Sequence, residues 1–273
     1  MLLSDKTKFV FIVTSKKQTE DRFFFDVQYF VNIIKTKQND IDIIANEDRA
    51  DICAKCPNLA IANFVKPENA LSHISNCNCE NLFIIVNCHG GLPLGIDSTV
   101  PLQSIPFTEA IKSSSATNII VLFCQCYAGI YSYVDISHND KSIVYIGSTG
   151  MRPSLSIVFD PDSMPWAANI TLIFMAVWMK SPFDIDGDGE FSIADMYMFV
   201  SASTNDIVYQ LNKNHSMTLK TVIDKGVVSP KSDLEKEIFE RAIKDYTEQE
   251  IPRQSPWIIT NTSLSNLIIE DLK

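Results

Sequence analysis

Four short stretches of this chain are apolar without interruption, and they constrain its fold more than any other feature. They are Phe9-Val10-Phe11-Ile12-Val13, Leu82-Phe83-Ile84-Ile85-Val86, Ile119-Ile120-Val121-Leu122-Phe123 and Ile143-Val144-Tyr145-Ile146. A strand with one wet face alternates apolar and polar residues, whereas a strand covered on both faces does not. The runs therefore read as strands over Lys8–Thr14, Asn81–Asn87, Asn118–Phe123 and Ser142–Ile146, with a further strand at Ile41–Ala45. Between the strands the apolar period changes to that of a helix. Phe23, Val27, Phe30, Val31 and Ile34 share one face of a helix predicted over Glu20–Lys37. Shorter helices are predicted at Pro67–Ile74, with proline at its start, and at Phe107–Lys112. Three more follow the strands, at Pro165–Lys180, Ser192–Leu211 and Ser232–Thr247, and Trp257-Ile258-Ile259 reads as a last strand. Strands that alternate with helices predict an α/β fold, with a mostly parallel central sheet and helices on both faces.

The chain has 273 residues, enough for one large domain with a full core. With 46% hydrophobic and 21% charged residues, disorder is excluded as its main character. Acidic residues number 33 against 23 basic ones, a formal charge of −10. No basic stripe offsets this balance, so a nucleic-acid partner is not expected. No repeat or linker divides the chain. The expectation is a single domain over 1–273, with a peripheral C-terminal segment at 228–273 that begins in a charged stretch. Met1–Lys8 has no apolar core preceded by basic residues, as a secretory signal would. The apolar run Trp166–Met179 is too short for a bilayer and is interrupted by Asn169 and Thr171. No membrane span is expected, and the location expected is cytoplasmic, or reached by export without a cleaved signal peptide. The seven cysteines are an odd number in a chain too large to need staples, so they read as mostly reduced thiols.

In an open parallel sheet, chemistry gathers outside the carboxyl ends of the strands. Two strand ends here carry reactive groups: Val86-Asn87-Cys88-His89-Gly90-Gly91 and Phe123-Cys124-Gln125-Cys126-Tyr127-Ala128-Gly129. Cysteine is the best side-chain nucleophile, but only as its thiolate. A nearby histidine can take that proton and return it to a leaving amine. Glycines beside them let the backbone turn sharply, and their amide hydrogens can stabilise an oxyanion. Such a set is the minimum for acyl transfer. His138 and His215 have no motif around them and read as surface residues.

The order strand–His-Gly, then about forty residues, then strand–x-Cys-x-(Ala/Ser)-Gly resembles the caspase, legumain and gingipain superfamily of cysteine peptidases. The resemblance covers roughly Lys8–Trp178 and is best at Leu82–Gly91 and Ile119–Gly129. It implies a three-layer caspase-like fold. It further implies that His89 is the catalytic histidine, Cys126 the nucleophile, and the amides of Gly90 and Cys126 the oxyanion hole. Cys126 matches rather than Cys124, because Ala128 and Gly129 follow it as the small-Gly pair. Ser148 and Thr149 fall where the family lines its specificity pocket, Arg22 can face that pocket, and Cys124 stands at its Gln/Glu position. That departure, and Cys88 before the histidine, leave the residue recognised at the cleavage site undefined. The implied activity is that of a cysteine endopeptidase on protein or peptide substrates, of no defined oligomeric state. The alternatives are a catalytically inactive caspase-like binding or regulatory module, and a metal-organised interaction domain.

Asp184-Ile185-Asp186-Gly187-Asp188-Gly189-Glu190-Phe191-Ser192-Ile193-Ala194-Asp195 matches a twelve-residue calcium loop. Carboxylates fall at positions 1, 3 and 5, glycine at 6, the Glu190 carbonyl at 7 and Ser192 at 9. Asp195 at position 12 is shorter than the usual glutamate, so Ca²⁺ would bind more weakly and Mg²⁺ could compete. Loop and following helix form an EF-hand-like unit over 181–212, with a structural role expected. Cys53, Cys56, Cys77 and Cys79, with His73 between, have zinc-ligand chemistry. Their spacing lacks the second two-residue gap, and they read as incidental thiols rather than a zinc site.

Overall fold

A computed structural model of the chain describes residues 6–17, 19–34, 40–93, 95–100, 102–159, 162, 164–213, 232–233, 237, 241 and 255–269, the side chains of 211–213 excepted. Its strands are β1 (Thr7–Val13), β2 (Ile41–Ala45), β3 (Asn63–Val65), β4 (Asn81–Val86), β5 (Gly90–Gly91), β6 (Gly95–Ile96), β7 (Asn118–Phe123), β8 (Ser142–Gly147), β9 (Ser156–Ile157), β10 (Ala168–Asn169) and β11 (Trp257–Thr260). Its helices are α1 (Asp21–Ile34), α2 (Arg49–Lys55), α3 (Ala70–Ser75), α4 (Ser104–Ser113), α5 (Ile170–Lys180) and α6 (Ile193–Lys213).

Seven strands form one sheet in the order β11-β8-β7-β4-β1-β2-β3. The first six in chain order pair in parallel, and β11 alone runs antiparallel, against β8. The chain starts at β1, builds outward through β2 and β3, then returns to β4 on the other side of β1. The β1/β4 boundary is thus a topological switch point, where such sheets open a crevice. Register settles which residues emerge there: Val86 pairs with Phe123, and Phe123 with Gly147. The residues that follow β4, β7 and β8 therefore leave one sheet edge at one level.

Both sheet faces are covered, as the uninterrupted runs require. On one side Phe9, Phe11 and Phe83 pack against α1, α5 and α6; on the other Val10, Ile12 and Ile84 pack with α3 and α4. Phe9 and Phe83 stack at 5.2 Å, and Phe30 of α1 meets Phe9 and Phe11 edge-on at 6.1 and 5.7 Å. Each such ring contributes about 1.5–3 kcal/mol by burial.

The three-layer α/β architecture expected from the sequence is present, with local corrections. Pro67–Asn69 is a 3₁₀ turn leading into α3, and α4 begins at Ser104 rather than Phe107. The α5 helix begins at Ile170 rather than Pro165, because the Asn169 carboxamide oxygen accepts the amides of Thr171 (3.1 Å) and Leu172 (3.2 Å) and fixes the start there. Of the segment expected at the periphery, 228–273, the described stretch 255–269 packs against the sheet. It supplies β11 to the sheet edge, and Leu267 and Ile269 are buried in the core. The helix predicted at Ser232–Thr247 and the expectation for His215 fall largely outside the described residues, although Asp233, Glu237 and Arg241 are helical. Among the described residues no helix is long and apolar enough to cross a membrane.

Candidate active site

His89 follows β4 and Cys126 follows β7, the neighbouring strand, so both stand at the same sheet edge. Their backbones meet at Gly90. A Cβ placed on Gly90 would lie 2.0 Å from the Cys126 carbonyl oxygen and 2.6 Å from Gln125 Cγ. Only glycine allows that approach, which supplies a physical reason for the His-Gly pair. The next glycine, Gly91, has open space around it.

The imidazole is held from two sides. Its Nε2 lies 2.6 Å from Glu20 Oε1, and its ring stands edge-on to Phe23 at 5.0 Å. Glu20 precedes α1 and also accepts from Arg22 Nε. The Arg22 hydrogen bond, and after it that of His89, hold the Glu20 carboxyl below its ordinary range against a counteracting desolvation. An ionised Glu20 accepting Nε2–H leaves Nδ1 as the basic nitrogen. Sequence reasoning missed Glu20, since a single glutamate before a helix carries no motif.

Of the three thiols at the strand ends, Cys88 and Cys124 are buried, and Cys126 is partly exposed. Burial pushes Cys88 up to about 12 and Cys124 well above the usual thiol range, so neither forms thiolate readily. The Cys126 sulfur receives the Ser154 amide at 3.3 Å, with Ser154 Oγ at 3.7 Å. No hydrogen bond joins Cys126 to His89. The following residue, Tyr127, is in the left-handed region at φ 58°, the one non-glycine there among the described residues. Its amide donates to the Arg152 carbonyl at 2.7 Å, and that of Gly129 to the Gly150 carbonyl at 3.1 Å. Left-handed backbone on a bulky residue costs of order 1–3 kcal/mol and persists only when its surroundings hold it. Here the turn bends the chain sharply just past the sulfur.

The expected pocket residues do not all converge. Arg22 reaches Ser156 Oγ at 3.1 Å and the Ala167 carbonyl at 3.4 Å, beside the Glu20–His89 pair. Ser148 and Thr149 are buried at the end of β8, and neither hydroxyl has a hydrogen-bond partner. The amide of Gln125 is likewise buried and unpartnered at both atoms. Cys124 does not line an open pocket, contrary to expectation. Strand alternation turns its side chain into the core on the α1 and α5 face.

A second group missed in the sequence lies behind these loops. Asp26 of α1 is fully buried. Its Oδ1 accepts Trp166 Nε1 at 2.8 Å, and its Oδ2 accepts Asn87 Nδ2 at 3.2 Å and the Asn169 amide at 3.3 Å. Burial raises its pKa to about 6, against the pull of those three donors and of Arg22. In the sequence Asp26 interrupts the apolar face of α1, and that interruption was the available signal.

In the acidic loop Asp184, Asp186 and Asp188 each offer an oxygen within 4.8 Å of the others. The Asp188 amide pulls Asp186 down, but slight desolvation and the carboxylates of Asp188, Asp195 and Asp184 raise it overall. Asp195 is committed elsewhere. Its Oδ1 accepts the Ile185 amide at 2.7 Å, and its Oδ2 accepts the amide and hydroxyl of Ser192, both at 2.9 Å. With the Ser192 hydroxyl accepting the Ala194 amide at 3.1 Å, these two form a capping box on α6. Glu190 is exposed at the rim. The paired thiols come into no cluster with His73 among the described residues. His73 Nε2 instead meets the buried Asp42 carboxylate at 2.7 Å.

No known protein family matches this chain in sequence, and no curated protein does.

Proposed function

We propose that the chain is a cysteine endopeptidase in which Cys126 is the nucleophile and His89 the general acid–base. His89 takes the Cys126 proton at Nδ1, and the thiolate attacks the peptide carbonyl carbon. The amides of Gly90 and Cys126 hold the oxyanion. On collapse the C–N bond breaks, and the imidazolium gives its proton to the leaving amine. Water, deprotonated by His89, then cleaves the thioester and restores the thiol. Glu20 orients the imidazole throughout. Arg22, beside the Glu20–His89 pair, borders the substrate, with the buried Ser148 and Thr149 supporting the wall behind.

One observation carries this reading. His89 and Cys126 follow adjacent parallel strands that end at one level, and the Gly90 backbone is seated on the Cys126 carbonyl. The burial of Cys88 and Cys124 supports Cys126 as the reactive thiol. The test is cleavage of a proteome-derived peptide library, under reductant, with and without calcium. Wild type is expected to cut, and Cys126→Ala to cut nothing. Cys124→Ala should retain most activity. Cutting by Cys126→Ala would end the assignment.

The second reading is a caspase-like binding module without turnover. It is favoured by the contact of Cys126 with Ser154 rather than His89. Alkylation of Cys126 by iodoacetamide at neutral pH no faster than a model thiol would select it.

For the acidic loop we propose Ca²⁺ on Asp184, Asp186 and Asp188, with the Glu190 carbonyl completing the shell and Mg²⁺ competing. Asp195 would act from behind, as the clamp on the loop. The ion would supply cross-bracing between α5 and α6, not chemistry. Calcium is expected to raise the melting temperature of wild type and not of Asp184→Asn/Asp186→Asn. A shift that survives both substitutions would place the ion elsewhere.

A further inference from the structure

We infer that Asp26 is a positioning residue that sets His89 and Cys126 relative to each other through two hydrogen-bonded arms; this rests on the dyad reading above. The first arm runs from Asp26 Oδ2 to Asn87 Nδ2 at 3.2 Å, and Asn87 stands two residues before His89. The same Asn87 amide group donates to the Phe23 carbonyl at 3.1 Å, and the Phe23 ring is the one that meets the imidazole edge-on. The second arm runs from Asp26 Oδ2 to the Asn169 amide at 3.3 Å. The Asn169 side chain then donates to the Cys124 carbonyl at 2.8 Å, two residues before Cys126. Trp166 Nε1 on Oδ1 fixes the carboxylate plane. Asp26, Asn87 and Asn169 are all buried to 2% exposure or less, so water does not compete for these bonds.

The chemistry of the hub explains why it is an acid. Three N–H donors converge on the two oxygens of Asp26. A carboxylate accepts from all three. An asparagine of the same shape would turn its own N–H₂ toward a donor and break an arm. A purely structural bolt between α1 and the sheet would be better served by apolar residues, since a buried charge is costly to hold. The cost is accepted at the one place where both dyad loops are reached from a single side chain.

The experiment measures iodoacetamide alkylation of Cys126, resolved from the other thiols by mass spectrometry. It compares wild type, His89→Ala, Asp26→Asn and the double variant at pH 7.5. Melting curves establish that each variant is folded. In the wild-type background His89→Ala is expected to slow Cys126 alkylation about tenfold, by removing the proton acceptor. In the Asp26→Asn background the same substitution is expected to have less than about a threefold effect, because the imidazole is no longer aimed. An equal His89→Ala effect in both backgrounds overturns the positioning role and leaves the dyad standing. No His89→Ala effect in wild type removes the dyad reading, and this inference with it. If Asp26→Asn does not fold, Asn169→Ser decides. Serine keeps the helix cap but loses the bond to the Cys124 carbonyl, and it should weaken the His89→Ala effect likewise. A full effect in Asn169→Ser overturns the second arm.

Discussion

Gly90 and Gly91 are neighbours with opposite tolerances. A methyl group on Gly90 meets the Cys126 carbonyl and Gln125, whereas one on Gly91 meets nothing within 4 Å. Gly90→Ala is therefore expected to lower peptide cleavage by at least about a hundredfold by pushing the two loops apart. Gly91→Ala should retain activity within about threefold, since its Cβ enters open space. Steady-state kinetics on a substrate from the library checks the pair, and equal losses would refute the close-approach argument. Asp26 yields a pH prediction. Its folded pKa, about 6, lies above the ordinary carboxylate value of 3.8, so the folded chain binds this proton more tightly than the unfolded one. The group thus stabilises the fold fully below pH 3.8, and the contribution is lost as pH rises to 6. Above that, ionised Asp26 costs on the order of 3 kcal/mol relative to its neutral form. Urea midpoints of wild type relative to Asp26→Asn should fall between pH 4.5 and pH 7; parallel values would refute the assignment. At this scale the sequence was half legible. His89, Gly90 and Cys126 announce themselves by residue type beside glycines. Glu20, Asp26 and Ser154 are ordinary residues whose contacts with these loops exist only once the chain folds.

Elements were legible where one physical signal dominated. Uninterrupted apolar runs became β1, β4, β7 and β8, because only strands covered twice tolerate them. The short pieces α2, β3 and the β5–β6 hairpin were not read, since two- to seven-residue segments carry too little periodicity to separate from loops. Helix starts were misplaced where a side chain, not apolar spacing, decides them, as Asn169 does for α5. The same logic applies to α6. Asp195 binds the Ser192 amide and the loop amides at once, so Asp195→Asn is expected to cost about 1–2 kcal/mol, and Ser192→Ala about 1 kcal/mol. Chemical denaturation without calcium checks both. A loss seen only with calcium present would make Asp195 a metal ligand rather than a clamp.

The whole molecule closes around its last strand. Trp257 lies over Gly147, where a Cβ would come within 2.1 Å of the indole, and its Nε1 donates to the Thr149 carbonyl at 2.7 Å. Trp257→Ala is expected to cost about 3 kcal/mol in denaturant unfolding and to loosen the loop that carries Ser148 and Thr149. Trp257→Phe, which keeps a ring but loses the donor, should cost about 1 kcal/mol. Equal costs would mean that the hydrogen bond contributes nothing. Composition marked this C-terminal region as peripheral because of its charged stretch, although the apolar run Trp257-Ile258-Ile259 within it was legible as a strand.

Strand β11 also carries a consequence in time. Chains emerge from the ribosome N-terminus first. The loops bearing His89 and Cys126 are translated well before Trp257, which braces the neighbouring wall. A nascent chain at that stage owns both reactive residues but lacks the brace behind Thr149. Translation order thus leaves the loop that carries Ser148 and Thr149 unbraced until β11 has been made.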